Sequence, residues 1–448
     1  MRRRRPRDVP DAVEVTLAPA PPERLRSAVS PAGWARLEAA LGVGSDRLRA
    51  RTMWMVNSTA AGGGVAELLR AILPYWRGAG FDQRWAVIQA PPAFFTVTKR
   101  IHNFLHGHPG DGGELGARER RIYERSLAPN AAWLRRRVRP GDIVVLHDPQ
   151  TAGLAPALGD TGASIVLRSH VGADQPSSLV EVASDFLAPY VSQADAVVFT
   201  RAPSGPRFGE LPRVAIIAPC IDPCSTKNRE MDELTARALL ARIRVRLGVD
   251  PLVVHLTRWD RLKDPIGVID SFAAGVLPDV DARLVVGGPP HDAVADDPEA
   301  EDVYREVERH WGLLPRAERR RIDLVRLSID DPDEQAAVVN ALQRQASVVV
   351  KKSLEEGFGL GVTEAMWKRR PVVASRVGGH TLQIVHDISG VLVDDPRDLI
   401  AFGAAVAELL VDRDRARRLG ESAHQRVKEH FLPDRYIAEW IEFMQTLG

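Results

Sequence analysis

Short runs of Val, Ile and Leu recur along the chain in two series, and this repetition constrains the fold more than any other feature of the sequence. The first series comprises residues 51–57 (RTMWMVN), 84–89 (RWAVIQ), 143–147 (IVVLH), 164–169 (SIVLRS), 196–200 (AVVFT) and 214–218 (VAIIA). The second comprises 252–257 (LVVHLT), 284–288 (LVVGG), 322–327 (IDLVRL), 347–350 (SVVV), 371–375 (PVVAS) and 391–393 (VLV). Each run is apolar on both faces and reads as a parallel strand buried under helices, and most of the gaps between them carry helical spacing. The expected fold class is therefore α/β, with two doubly wound, Rossmann-like domains facing each other across a cleft.

Between the series, residues 219–228 (PCIDPCSTKN) hold two prolines among polar residues and read as the linker. The first domain is expected over 1–222, with 1–50 as a peripheral extension carrying two weak helical stretches. The second is expected over 223–432, opening on a charged helical stretch at 230–247. Helices are predicted at 396–411 and 413–429. Pro433 marks a turn before a last helix at 436–447, and the segment 433–448 is expected to pack back on the first domain.

In the second series, residues 351–379 (KKSLEEGFGLGVTEAMWKRRPVVASRVGG) join a strand end to a glycine turn and a helix. Glu356 falls in the loop. Gly357, Phe358, Gly359 and Leu360 follow, and two glycines so close let the backbone bend and approach a ligand. A helix from about Gly361, with Val362, Ala365 and Met366 on its apolar face, puts Glu364 in its first turn. Its first amides lack partners within the helix, so the unit is an anion site. Arg258 closes the first strand of this series and Lys263 follows, a forked and a point cation able to hold a diphosphate. Glu356 and Glu364 sit on different elements and should meet different parts of one extended ligand. Carboxylates accept hydrogen bonds from the paired hydroxyls of a sugar or a ribose, which points to a nucleotide sugar.

The first series carries its own glycine loop, residues 58–64 (STAAGGG), ahead of a helical run through Val65, Leu68, Leu69 and Ile72. Gly63 and Gly64 would allow close approach to a phosphate or sugar, although such a turn also occurs for structural reasons alone. His147, Asp148 and His170 lie just past strand ends, where open α/β sheets bind ligands, while a lone histidine there can equally be structural.

Composition excludes several classes. The 60 basic and 59 acidic residues nearly cancel, so no global field favours nucleic acid or a membrane surface. Two cysteines, Cys220 and Cys224, give no disulfide framework and suit a reducing, cytoplasmic setting, and with no second Cys/His pair nearby they do not read as a metal site. No apolar run approaches a membrane span. The Arg-rich start, MRRRRPRDVP, lacks the apolar core of a secretory signal and reads as a solvated tail. A dinucleotide-dependent dehydrogenase would need Gly-x-Gly-x-x-Gly after a strand with an acidic residue about 20 on, which is absent from any suitable place.

With these residues in place, the chain resembles the retaining GT-B glycosyltransferases of the large family 4. Glu356 and Glu364, within EGFGLGVTEAMW, match that family's Glu-x7-Glu motif, and Arg258 with Lys263 match its diphosphate-binding pair. The segments MVNSTAAGGGVAELL, LHDPQTAGL, PCIDPCSTKN, VNALQRQASVVVKKSLEEGFG and VGGHTLQIV are similar to successive signatures of its trehalose-forming branch, from about Arg51 to the C-terminus. The resemblance implies a catalytic set of Glu356, Arg258, Lys263 and His170, with Glu356 and His170 at the donor sugar. It places Glu364 at the ribose, Gly63 and Gly64 under the diphosphate or acceptor, and Asp148 and Gln150 near the acceptor. The implied reaction moves a hexosyl group from a nucleoside diphosphate sugar, as co-substrate, to a small acceptor with retention and without a metal or other cofactor, glucose onto glucose giving trehalose.

Three alternatives stay open. One is a specialised-metabolism transferase with a modified donor and an alcohol or thiol acceptor, and another a retaining phosphorylase with phosphate as acceptor. The third is a nucleotide-sugar sensor, against which the intact leaving-group clamp speaks. The expected partners are small molecules, without nucleic acid or membrane, and a homodimer stays open. The chain departs from the family pattern at Lys351, Gly361 and His380, all flanking the donor pocket, and Gly172 and Ala173 leave few side chains beyond His170 to hold an acceptor.

Overall fold

The strand runs assemble into two sheets. In the computed structural model, which describes residues 11–42, 45–202, 213–243, 245, 248–290, 298–329 and 331–447, the strands are β1 (Val13–Val15), β2 (Met53–Asn57), β3 (Gln83–Val87), β4 (Ile143–His147), β5 (Ser164–Ser169), β6 (Ala196–Phe199), β7 (Val214–Ile216), β8 (Leu252–Leu256), β9 (Arg283–Gly288), β10 (Ile322–Arg326), β11 (Val348–Lys351), β12 (Val372–Ser375) and β13 (Val391–Val393). The first sheet runs β1-β3-β2-β4-β5-β6-β7 and the second β10-β9-β8-β11-β12-β13. All pairings are parallel except β1 with β3. The chain is thus α/β with two Rossmann-like sheets, and β2, β4 and β8 are buried along their whole length, as unbroken apolar runs require.

Strand order decides where ligands can sit. In the second sheet the chain leaves β8 toward β9 and β10, then returns to the other side of β8 as β11. In the first sheet it leaves β2 toward β3 and returns beside β2 as β4. Helices on either side of such a reversal cover opposite faces, so a crevice opens at the carboxyl ends of the two strands. The segments after β8 and β11 carry Arg258, Lys263 and Glu356, the glycine loop follows β2, and Asp148 opens the short helix Asp148–Ala152 directly after β4.

Several predicted boundaries move. The extension before residue 51 does more than cover the domain: β1 pairs antiparallel along β3, with Val13 opposite Val87. Three mostly exposed residues carry no periodicity by which to foresee this. Pro433 opens the last helix, Pro433–Met444, because its fixed φ suits a first helical position. The charged stretch at 230–247 is helical over Glu233–Arg242, capped by the Asp232 carboxylate on the Thr235 N–H. Its end at 247, like the Arg-rich segment 1–10, lies outside the described residues.

The last helix buries Tyr436, Ile437, Trp440, Ile441 and Met444 and packs against the helices Pro31–Gly42 and Gly64–Gly78 of the first sheet's unit. Arg51 reaches past it to donate to the Leu447 carbonyl at 3.1 Å. The chain therefore crosses between the two units twice. The crossings lie side by side: the Ile221 N–H donates to the Phe431 carbonyl at 3.0 Å, and Arg435 donates to the carbonyls of Ala218 and Pro219 at 2.6 and 3.1 Å.

Candidate active site

On the second sheet, the loop after β11 presents Glu356 to the loop after β8. Lys263 Nζ stands 2.8 Å from Glu356 Oε2, and Ser353 Oγ donates to the same oxygen at 3.2 Å. Burial pushes the Glu356 carboxyl up, but Lys263 and then His380 outweigh it and hold the group at about 2. Arg258 lies beyond, its Nη2 3.7 Å from the buried Asp260 carboxylate. The helix begins at Leu360, one residue earlier than predicted, because Gly359 adopts φ +86 as its N-cap. Glu364 consequently sits past the first turn, where its buried Oε1 meets Lys227 Nζ at 2.9 Å and Oε2 accepts from Gln343 Nε2 at 3.3 Å.

The two glycines of the turn serve different ends. Gly359 supplies the left-handed backbone conformation that starts the helix. Gly357 instead makes room for the facing unit, since a Cβ there would collide with the His170 carbonyl. Sequence reasoning gave this bareness to a ligand; the structure gives it to a backbone crossing the cleft. The glycine loop approaches from the same side: Gly62 takes φ +79, and a Cβ on Gly64 would lie 3.9 Å from Leu360 Cδ1.

His170 is held tightly. Its backbone N–H donates to Asp148 Oδ1 at 2.7 Å, and its ring Nε2 lies 3.1 Å from His147 Nδ1 with the rings stacked. Burial and the Arg168 charge push His147 down to about 3 and His170 well below its ordinary value, so both rings are neutral and one nitrogen donates to the other. Asp148, expected at an acceptor, spends one oxygen orienting His170 from a strained backbone with φ +62. Nearby, Gln150 Oε1 is buried without a protein partner. A cleft of about 310 Å³, mouth included, runs beside His170, lined in part by Gly172, Ala173, Thr200, Arg201 and Gly357.

One buried and two partly buried contacts close the two units on each other. Lys99 Nζ pairs with Asp260 Oδ2 at 3.0 Å, both nearly inaccessible. Burial opposes the Asp260 charge, yet Lys99, Arg258 and Lys263 hold its carboxyl well below the usual range. Asn103 Nδ2 donates to Glu299 Oε1 at 3.1 Å, and the Gly378 N–H to Asp174 Oδ2 at 2.6 Å. None of Lys99, Asp260 or Lys227 stood out in the sequence. Asp260, two residues past Arg258, was the nearest to a visible signal.

Two departures from the family pattern prove to be one feature. Lys351 is buried, donates to the Leu256 carbonyl, and lies so that a Cβ at Gly361 would be 2.5 Å from its Nζ. The bare glycine accommodates the lysine. Burial lowers the Lys351 ammonium to about 8, with Glu364 and Glu356 only partly restoring it. Its folded pKa lies below the ordinary 10.5, so the unfolded chain binds more protons between those values and stability rises with pH there. At pH 7 Lys351→Gln is expected to stabilise the fold by on the order of 3 kcal/mol, a gain that shrinks by pH 10, read from thermal melts at both values.

His380 is likewise buried. Its Nδ1 donates to the Ser375 carbonyl at 3.0 Å, leaving Nε2 an acceptor without a protein partner 3.7 Å from Glu356 Oε2. Burial pushes its pKa down to about 4. Two acceptors so placed share no proton of their own. Glu355, overlooked beside Glu356, is pushed up to about 7 by burial and then by Asp174, and its buried Oε2 lacks a partner.

Known proteins resemble the chain along most of its length. Residues 55–204 match the family model described as "Trehalose synthase, N-terminal domain", and 331–426 match "Glycosyl transferases group 1". A trehalose synthase of Rubrobacter xylanophilus is 36% identical over 411 residues, covering 90% of this chain and 92% of that protein. One from Thermococcus litoralis is 32% identical over 409 residues, with the same coverage of each. Among solved structures, an alpha,alpha-trehalose-phosphate synthase (UDP-forming) from Burkholderia vietnamiensis superposes with a TM-score of 0.69 at 17% identity, covering 88% of this chain and 99% of that one, a likeness of fold.

Proposed function

Because this chain belongs to the trehalose synthase family of GT-B glycosyltransferases, we propose that it transfers glucose from a nucleoside diphosphate sugar to free glucose, forming trehalose with retention at the anomeric carbon. The observation that carries this reading is the convergence of Arg258, Lys263, Glu356 and the N-terminus of the helix Leu360–Trp367 opposite the glycine loop. In the reaction, the bond from the sugar's anomeric carbon to the diphosphate breaks and the diphosphate leaves with the electron pair. An acceptor hydroxyl bonds to that carbon on the same face and gives its proton to the departing diphosphate oxygen. Arg258, Lys263 and the first helix amides meet the charge as it develops, which assigns the electrostatic work to the protein itself and needs no metal. Glu356 accepts hydroxyls of the donor sugar while holding Lys263, and Glu364 accepts those of the ribose. His170, neutral and fixed by His147 and Asp148, borders the donor sugar from the facing unit.

The deciding assay incubates the protein with UDP-, ADP- and GDP-glucose and free glucose, followed by mass spectrometry. A glucose disaccharide that resists reducing-end labelling is the expected product. Its absence from every donor overturns the reading. Among the described residues no helix is long and apolar enough to cross a membrane.

A further inference from the structure

Lys227 lies in the polar linker, where a lysine ordinarily waves in solvent, yet its surroundings fix it. The carbonyls on either side are tied to the second unit: Asn340 Nδ2 donates to those of Thr226 and Arg229 at 3.0 and 2.9 Å, and Trp367 Nε1 to that of Asn228 at 3.1 Å. Asn228 Oδ1 accepts from the buried Lys368 at 2.9 Å. Earlier in the linker, Asp222 accepts from the Tyr75 hydroxyl at 2.8 Å, which anchors that end to the first unit. From this rigid base the Lys227 ammonium meets two carboxylates at 2.9 Å each. One is Glu364, and the other is Glu67, in the first turn of the helix that follows the glycine loop.

We propose that Lys227 is the positioning residue of the ribose site: it fixes the Glu364 carboxylate for the nucleotide's hydroxyls and, through Glu67, ties the glycine loop to nucleotide occupancy. The proposal rests on the reading of Glu364 as the ribose acceptor. A carboxylate has lone pairs for about four hydrogen bonds, and here Lys227 takes Oε1 while Gln343 takes Oε2, so the plane is set and acceptor capacity remains for vicinal hydroxyls. Glu364 carries one charge and Lys227 shares its own between two acids. When ribose hydroxyls donate to Glu364, its hold on the ammonium weakens and the share held by Glu67 grows. The nucleotide side and the glycine-loop side of the cleft are then set by a single cation.

The test measures binding of the nucleoside diphosphate of the active donor, and of its 2′-deoxy and 3′-deoxy forms, by calorimetry. Wild type, Lys227→Met, Lys227→Arg and Glu364→Gln are compared. Lys227→Met is expected to weaken the parent nucleotide about tenfold, the worth of a hydrogen bond to a charged group, and to shrink the deoxy penalty to less than about threefold, with Lys227→Arg restoring most of both. A full deoxy penalty in Lys227→Met overturns the proposal. If Glu364→Gln also keeps the full penalty, the ribose reading itself has failed; if Glu364→Gln loses it and Lys227→Met does not, only the role of Lys227 has. The second limb is read by hydrogen exchange in Glu67→Gln, which leaves the linker and Glu364 in place. Nucleotide is expected to slow exchange over residues 62–67 in wild type and not in this variant. Equal slowing in both overturns the coupling.

Discussion

Replacing Lys263 with alanine lowers kcat by on the order of 10² or more, measured as initial rate at saturating donor and glucose with the fold checked by circular dichroism. Two losses compound. The leaving diphosphate loses a cation preorganised in a site largely shielded from water, where each charge counts for more. Glu356 also loses the partner 2.8 Å away that keeps it ionised and oriented. The second loss has its own signature. In the wild type the Glu356 carboxyl sits at about 2, below its ordinary 4.5, so the stabilisation from the pair is complete above pH 4.5 and is lost only as the pH falls through about 2. Without Lys263 that carboxyl climbs back, and the acid limb of the rate profile moves up with it. Undiminished turnover in Lys263→Ala would remove Lys263 from the mechanism.

Breaking the Lys99–Asp260 pair is expected to cost more stability than any surface ion pair in the chain. Lys99→Met leaves the Asp260 carboxylate buried and short of its nearest cation, and such one-sided losses cost about 3–5 kcal/mol, where exposed pairs such as Arg84–Asp82 are worth about 0–1 kcal/mol. Asp260 also caps its own turn by accepting from the Leu262 N–H at 2.8 Å, so the lysine is the cleaner member to remove. The expected outcome is a drop in melting temperature of several degrees together with weaker donor binding, since Asp260 stands beside Arg258. Unchanged melting would show that Arg258 and Lys263 suffice to neutralise Asp260.

What the sequence disclosed follows from which forces act locally. Every parallel strand of the two sheets was legible as a short apolar run, and β4, β5 and β13 begin and end where their runs do, whereas the antiparallel, mostly exposed β1 was not. Arg258, Lys263 and Glu356 were legible as candidates because they occupy strand ends of one sheet, although their meeting depends on strand order, which no local pattern encodes. Contacts across the cleft were not legible. Gly357 beneath the His170 carbonyl, Lys99 on Asp260 and Lys227 on Glu67 join residues far apart in the chain, and each looks ordinary among its neighbours. Lys351 and Gly361 read as two separate departures until their side-by-side packing made them one.

The paired crossings at Ile221 and Phe431 give the molecule the mechanics of a door hung on adjacent pins. A single tether would let the two units swivel and twist; two tethers bonded to each other leave rotation about the line through them as the soft motion. A rotation about that line would change the contacts across the cleft, from Lys99–Asp260 to Gly357–His170, all at once.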